Sequence, residues 1–200
     1  LGIVGESGSG KSVLSRTIID ILAKDGSVLY DGEIIFEGRN LRALNEKEMR
    51  EIRGREIAMI FQDPMSSLNP VKKIGKQITE VLTKRMGMSS NLAKVRAIEL
   101  INSVGIPDAQ QQLGRYPMHL SVGMRQRVAI AIAIACEPKL LIADEPTTAL
   151  DVTIQAQILD LLKEQQIKHD MSVILITHNL GIVSGYADDV AVMYAGKIVE

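Results

Sequence analysis

Short aliphatic runs alternate along the chain with segments of helical period. Leu1 to Val4 predicts a buried strand that leads directly into the glycine-rich run GESGSGKS. Beyond it Leu14, Ile18, Ile21 and Leu22 recur at helical spacing, which places Ser15, Arg16 and Asp20 on the opposite face. GSVLYDGEIIFEG alternates about Asp31-Gly32 and predicts a hairpin turning there. Asn45 to Arg55 is charged and predicts an exposed helix; IAMIF, Ile57 to Phe61, predicts another buried strand. No strand signal interrupts Val71 to Met118. Ile74, Ile78, Val81, Leu82 and Met86 mark one amphipathic helix there, and Leu92, Val95, Ile98 and Ile101 a second that stops near Gly105-Ile106-Pro107.

VAIAIAIAC alternates as a strand does, yet its alanine content, its length with the preceding MRQR and the Glu137-Pro138 stop favour a buried helix. KLLIA and VILIT are runs typical of central parallel strands, with a helical stripe of Ile154, Ile158, Leu161 and Leu162 between them. VAVMYAGKIVE predicts a last strand and hairpin. Strands alternating with helices indicate an α/β protein with a mainly parallel sheet. Residues 71–136 form an inserted helical subdomain, and 1–70 with 137–200 the core that it interrupts.

Composition narrows the partners. The 200 residues are 46% hydrophobic and 24% charged, which suits a packed domain rather than disorder. A formal net charge of −1 and a pI near 6.4 supply no basic field for nucleic acid. Four Tyr, two Phe and no Trp offer little base-stacking surface. The one Cys excludes an internal disulfide and a cysteine zinc cluster; Cys136 reads as a small buried apolar residue, and the nine Met as core filler. The longest apolar run, Val128 to Cys136, falls far short of the roughly 18–20 residues that span a bilayer. The chain opens inside a strand without Met and closes in strand-like KIVE, as expected of a fragment cut at both ends.

Three patterns carry chemistry. Gly5 to Ser12 matches G-x-x-x-x-G-K-[ST] with a strand before it and a helix after it. Gly5, Gly8 and Gly10 let the backbone of Glu6, Ser7 and Ser9 fold tightly around phosphate oxygens; Lys11 reaches the β- and γ-phosphates, and the Ser12 hydroxyl meets Mg²⁺. LLIADEP puts Asp144 and Glu145 at the end of a strand, where Asp144 suits water-mediated Mg²⁺ binding and Glu145 suits a base that polarises water. VILITH ends a second strand on His178, aimed at the same crevice to hydrogen-bond a γ-phosphate oxygen or orient the attacking water, whereas His119 and His169 are read as structural.

GESGSGKS, LLIADEP, TALD (Thr148 to Asp151) and ITH, in this order, resemble the motif set of ATP-binding-cassette (ABC) ATPases over essentially all 200 residues. Gln62, after IAMIF, matches that family's glutamine loop, and LSVGM (Leu120 to Met124) its signature. FQDPMSSLNP, MRQR and ADEPTTALDVTIQAQI resemble the ATPase subunits of dipeptide and oligopeptide importers, with nickel importers close by. The resemblance implies a P-loop NTPase (RecA-like) core with a small antiparallel β part and a helical subdomain. It implies two head-to-tail cassettes, each closing its signature over the other's ATP. Ser121 and Gly123 then meet the γ-phosphate in trans, Asp151 lies at the seam, and Gln62 senses Mg²⁺ and the attacking water. It also implies transmembrane permease subunits docked on the helical part, an external solute-binding protein acting indirectly, and a peripheral place on the cytoplasmic face of the membrane.

Two departures matter. Val122 stands where the family usually has Gly; a β-branched residue is disfavoured where backbone needs positive φ and its bulk obstructs close approach of phosphate, with little cost if it sits in a first helical turn with ordinary φ, so weakened trans closure is expected rather than lost ATP binding. Asn179 replaces a common Asp, with a minor effect expected. The adenine-stacking aromatic of the family lies before residue 1, and Tyr30 does not stand in for it. The competing readings are a soluble cassette ATPase acting on nucleic acid, which lacks the usual coiled coils, zinc modules or basic arms here, and a low-activity ATP-binding cassette weakened by Val122.

Overall fold

The computed structural model describes residues 1–22, 31–63, 67–148 and 150–200. Its frame is a six-stranded sheet. The strands are β1 (Gly2–Val4), β4 (Ile57–Ile60), β5 (Leu140–Asp144), β6 (Ser172–Thr177), β7 (Val190–Tyr194) and β8 (Lys197–Ile198), in the order β4-β5-β6-β1-β7-β8. All neighbours are parallel except the β7–β8 hairpin. Ile142 and Ile176 are fully buried, so these strands read as unbroken apolar runs rather than alternating ones. The register sets Val4 beside Thr177 and Asp144 beside Ile176, so β1, β5 and β6 end on one edge. This is the expected α/β fold.

The small antiparallel part, β2 (Ile35–Phe36) with β3 (Arg39–Asn40), turns at Glu37-Gly38. Glu37 (φ 50°) and Gly38 (φ 71°) both occupy the left-handed region, as a tight two-residue turn requires. The limb expected before Asp31, and Tyr30 with it, lie outside the described residues.

Helix α1 (Lys11–Ile18) corrects the first apolar stripe. Asp20 adopts φ 51°, which ends the helical period before Ile21, and Ile21 is exposed. Ser15, assigned to the outer face, is buried because its hydroxyl donates to the Ser12 carbonyl at 3.0 Å. The inner face of this helix carries Lys11 and Ser15, not only aliphatics. Helix α2 (Glu46–Ile52) opens with a capping box between Asn45 and Glu48 and buries Met49 and Ile52 beneath an otherwise charged surface.

Between β4 and β5 the described residues form only helical elements. α3 (Ile74–Met86) buries Ile74, Ile78 and Leu82, as its stripe predicts. α4 (Ser90–Ser103) instead buries Ala93, Ala97, Leu100 and Ile101, and leaves Leu92 and Val95 exposed. Two alanines on one face let α4 approach its neighbours closely, and that packing outweighs the larger apolar residues one step round the helix. α5 (Ala109–Leu113) follows, with Leu113 pressed on Gly75 of α3. α6 (Val122–Ile134) confirms the helical reading of the Ile-Ala alternation, buried along most of its length from Val128 to Ile134. α7 (Val152–His169) and α8 (Leu180–Tyr186) complete the chain.

α8 lies tightly against β1. A Cβ at Gly2 would stand 2.2 Å from Val183 Cγ1, so Gly2→Ala must displace the helix. That overpacking is expected to cost about 1–3 kcal/mol, read by urea denaturation of the full-length protein. Adding Val183→Ala should recover part of the loss, and failure to do so would place the strain elsewhere.

Candidate functional site

The glycine loop joins β1 to α1 and is shaped by close approach as much as by turning. A Cβ at Gly5 would lie 2.1 Å from the Met193 carbonyl oxygen, so only glycine fits beneath β7. Gly8 (φ 82°) and Gly10 (φ 104°) take left-handed conformations. Ser9 is buried; its N–H donates to the Glu6 carbonyl (3.1 Å), and its own carbonyl accepts from Gly196 N–H (2.9 Å). Glu6, Ser7 and Gly8 remain exposed at the rim. Gly10 is the N-cap of α1 and supplies no side chain to it, and no acidic residue occupies the first turn. The first N–H groups and the positive dipole end are thus left for an anion.

Lys11 fills the loop from below. It is only 5% exposed, and its Nζ donates to the carbonyls of Gly5 (2.7 Å) and Glu6 (2.8 Å), with Ser9 Oγ at 3.4 Å. Next to it, Ser12 Oγ donates to Asp144 Oδ1 at 3.0 Å. Asp144 is 1% exposed, and burial pushes its carboxyl above the usual range, against the lowering effect of the Ser12 hydrogen bond.

Glu145 leaves β5 in a different conformation, with φ 47° and its N–H bonded to the Ile176 carbonyl (2.9 Å). Its carboxylate gathers groups from three directions. Oε2 accepts from Gln62 Nε2 (3.1 Å) and from Thr148 Oγ1 (2.8 Å), and Oε1 lies 3.4 Å from His178 Nδ1. Gln62 and His178 are exposed, whereas the Glu145 side chain is 15% exposed. Asn179 caps α8 by accepting from Gly181 N–H, a local role that its neutral amide fills.

Ser121, Gly123 and Asp151 stand apart from this cluster. Ser121 Oγ accepts from Met124 N–H as the N-cap of α6, and Asp151 Oδ1 accepts from Ile154 N–H as the N-cap of α7. The two helix starts are adjacent, because a Cβ at Gly123 would lie 3.1 Å from Ile154 Cγ2. Val122 is the first residue of α6 and is absent from the positive-φ residues, so the backbone strain expected of it does not arise. Its side chain is 41% exposed. His119 accepts from Tyr116 N–H and packs edge-on against that ring, away from the strand ends.

Thr148 and Gln155 both fall within the motif ADEPTTALDVTIQAQI, which by itself gives neither of them a role. Gln155 Nε2 reaches the carbonyls of Thr147 (3.2 Å) and Leu150 (3.1 Å). The only linear signal for either is a polar side chain a few residues beyond an acid.

A family model described as "ABC transporter" matches residues 1–148. The chain is 60% identical over 200 residues to the oligopeptide transport ATP-binding protein OppD of Bacillus subtilis, covering all of this chain and 56% of that protein. It is 54% identical to the dipeptide transport ATP-binding protein DppD of Escherichia coli, again over the whole chain and 61% of the relative. It therefore spans somewhat over half the length of these curated relatives. The dimeric, post-hydrolysis ATP-binding cassette MJ0796 bound to ADP and Pi superposes with a TM-score of 0.85 at 27% identity, over all of this chain and 82% of that one. The cbiO1 cassette of Clostridium perfringens, part of the ABC transporter complex cbiONQ, gives 0.83 at 29%, over all of this chain and 74% of that one. A glycine loop closed around its own lysine, an acidic pair at the end of β5 and a family match through both place this chain in the ABC transporter family.

Proposed function

We propose that this chain is the ATP-binding and ATP-hydrolysing part of an importer subunit that energises uptake of dipeptides or oligopeptides across the cytoplasmic membrane. One observation carries the hydrolytic reading. Glu145, beside the Ser12–Asp144 pair, is contacted by groups that follow β4 and β6, which is an arrangement for activating water rather than for closing a helix end. The ATP phosphates lie in the loop of Gly5, Glu6, Ser7, Gly8, Ser9 and Gly10, on the α1 N-terminus, with Lys11 neutralising their charge. The attacking water forms the new oxygen–phosphorus bond as the bond to the ADP oxygen breaks. Glu145 takes the water's proton, and Gln62 and His178 flank that carboxylate from the ends of β4 and β6.

The donor set fits Mg²⁺. A serine hydroxyl and a buried carboxylate, 3.0 Å apart, are hard oxygen ligands of the kind this ion uses together with phosphate and water, and a buried Asp144 gains most from a cation. No cluster of three or more His, Cys, Asp or Glu suited to a metal exists among the described residues, in keeping with a site that needs phosphate to be complete. Bound there, Mg²⁺ would neutralise charge developing on the phosphates. Gln62 is the third residue proposed to hold the ion.

The same reading covers organisation and partners. Residues 1–70 and 137–200 are the nucleotide core and 71–136 the helical subdomain. Ser121, Gly123 and Asp151 are left to a second cassette, across whose ATP their helix starts would close. A cleft of about 560 Å³ between the sheet and α3, lined by Ile21, Met59, Phe61, Val81 and Ile132 and rimmed by Arg53 and Arg85, suits a cytoplasmic helix of a permease subunit. No helix among the described residues is long and apolar enough to cross a membrane. On this reading the path for solute belongs to those partners, and the cassette sits on the membrane's cytoplasmic face. The solute-binding protein acts through them. No nucleic acid is expected.

Glu145→Gln in the full-length protein is expected to lower kcat of Mg²⁺-ATPase by about 10²–10⁴ while ATP still binds; an unchanged rate would sink the assignment. Asp144 supplies a second test. Its folded pKa lies above the unfolded one, so its contribution is full below the unfolded value and is lost as pH rises through the folded value. At neutral pH the charge weakens the ligand-free fold. Asp144→Asn should then raise the ligand-free Tm and abolish Mg²⁺-dependent hydrolysis, and a lowered Tm would contradict the burial argument. Val122→Gly should leave ATP binding unchanged and raise transporter-stimulated hydrolysis, since bulk rather than backbone strain is what it removes. Equal stimulated rates would show that the side chain obstructs nothing.

A further inference from the structure

Glu145 is a base that its own backbone holds awkwardly. It sits in the left-handed region directly before Pro146, a conformation that persists in a non-glycine residue only where its surroundings over-determine it. Its side chain has three rotatable bonds, and two of its three polar partners, Gln62 and His178, are exposed and belong to other segments of the chain. The third differs. Thr148 is part-buried, makes the shortest contact with the carboxylate (2.8 Å), and belongs to the same turn, where its N–H also donates to the Glu145 carbonyl at 3.2 Å. That turn is strapped from α7, since Gln155 Nε2 donates to the carbonyls of both Thr147 and Leu150.

We propose that Thr148 is the positioning residue of the hydrolytic base: its hydroxyl tethers Glu145 Oε2, Gln155 holds the tethering turn, and Oε1 is left as the atom that takes the proton from water. This rests on the assignment of Glu145 as base and adds to it which oxygen is held and by what. Gln62 and His178 can then come and go with nucleotide state while the base keeps its orientation.

The test uses the full-length protein assembled with its transporter and compares Thr148→Val, Thr148→Ser and Glu145→Gln. Thr148→Val keeps the branched shape and removes the hydroxyl. It should lower kcat for ATP about ten-fold, as a small misplacement of a reacting group does, with KM for ATP and Tm unchanged. Thr148→Ser should restore the rate. Thr148→Val added to Glu145→Gln should lower the rate no further, because residues acting as one unit are not additive. If Thr148→Val lowers Tm, Thr148→Ala, which only deletes atoms, replaces it with the same expectation. A silent Glu145→Gln would overturn the base itself. A crippled Glu145→Gln beside a fully active Thr148→Val, or a Thr148→Ser no better than Val, would overturn the tether alone.

Discussion

An ammonium group buried inside its own glycine loop is the constraint from which the site follows. At 5% exposure Lys11 must find acceptors within the protein, and it takes the Gly5 and Glu6 carbonyls. Those carbonyls can point inward only because the loop wraps fully around the side chain. The wrap needs Gly5 flush against the β7 carbonyl at Met193, and left-handed turns at Gly8 and Gly10. With the carbonyls turned in, the N–H groups that open α1 face out. The anion site and the buried cation are two sides of one backbone arrangement.

The parallel sheet supplies the second layer. Because β1, β5 and β6 end in register, the residues that follow them converge without a long connection. Ser12 reaches Asp144, and Glu145 meets Gln62 and His178, across sequence separations of 132, 83 and 33 residues. The two carboxylates diverge at once in environment. Asp144 stays within the strand, buried and bonded to a hydroxyl, whereas Glu145 breaks from β5 through a left-handed residue into a looser cluster. Adjacent acids thereby stand in different surroundings, as the tasks proposed for them require.

The helical segment shows where linear patterns mislead. α3 buries the stripe that its sequence predicts, because its large aliphatics have no rival face. α4 buries alanines and exposes Leu92 and Val95, because close packing rewards the smaller face. Likewise α1 buries a serine and a lysine, since its inner face meets polar loop and carboxylate rather than core.

What the sequence determined by itself was the order of elements, the α/β class and the presence of a glycine loop and an acidic pair at strand ends. These rest on residue types whose chemistry is local: glycines that turn, aliphatic runs that bury, a lysine and a serine at fixed spacing. Tertiary structure decided the rest. It freed Val122 from the strain its type suggested by placing it in the first turn of α6. It brought Thr148 onto Glu145 through a left-handed turn that no periodicity encodes, and it gave Gln155 two carbonyls to hold. Such contacts depend on backbone direction at single residues, and that direction is settled only when the strands and helices around them have packed.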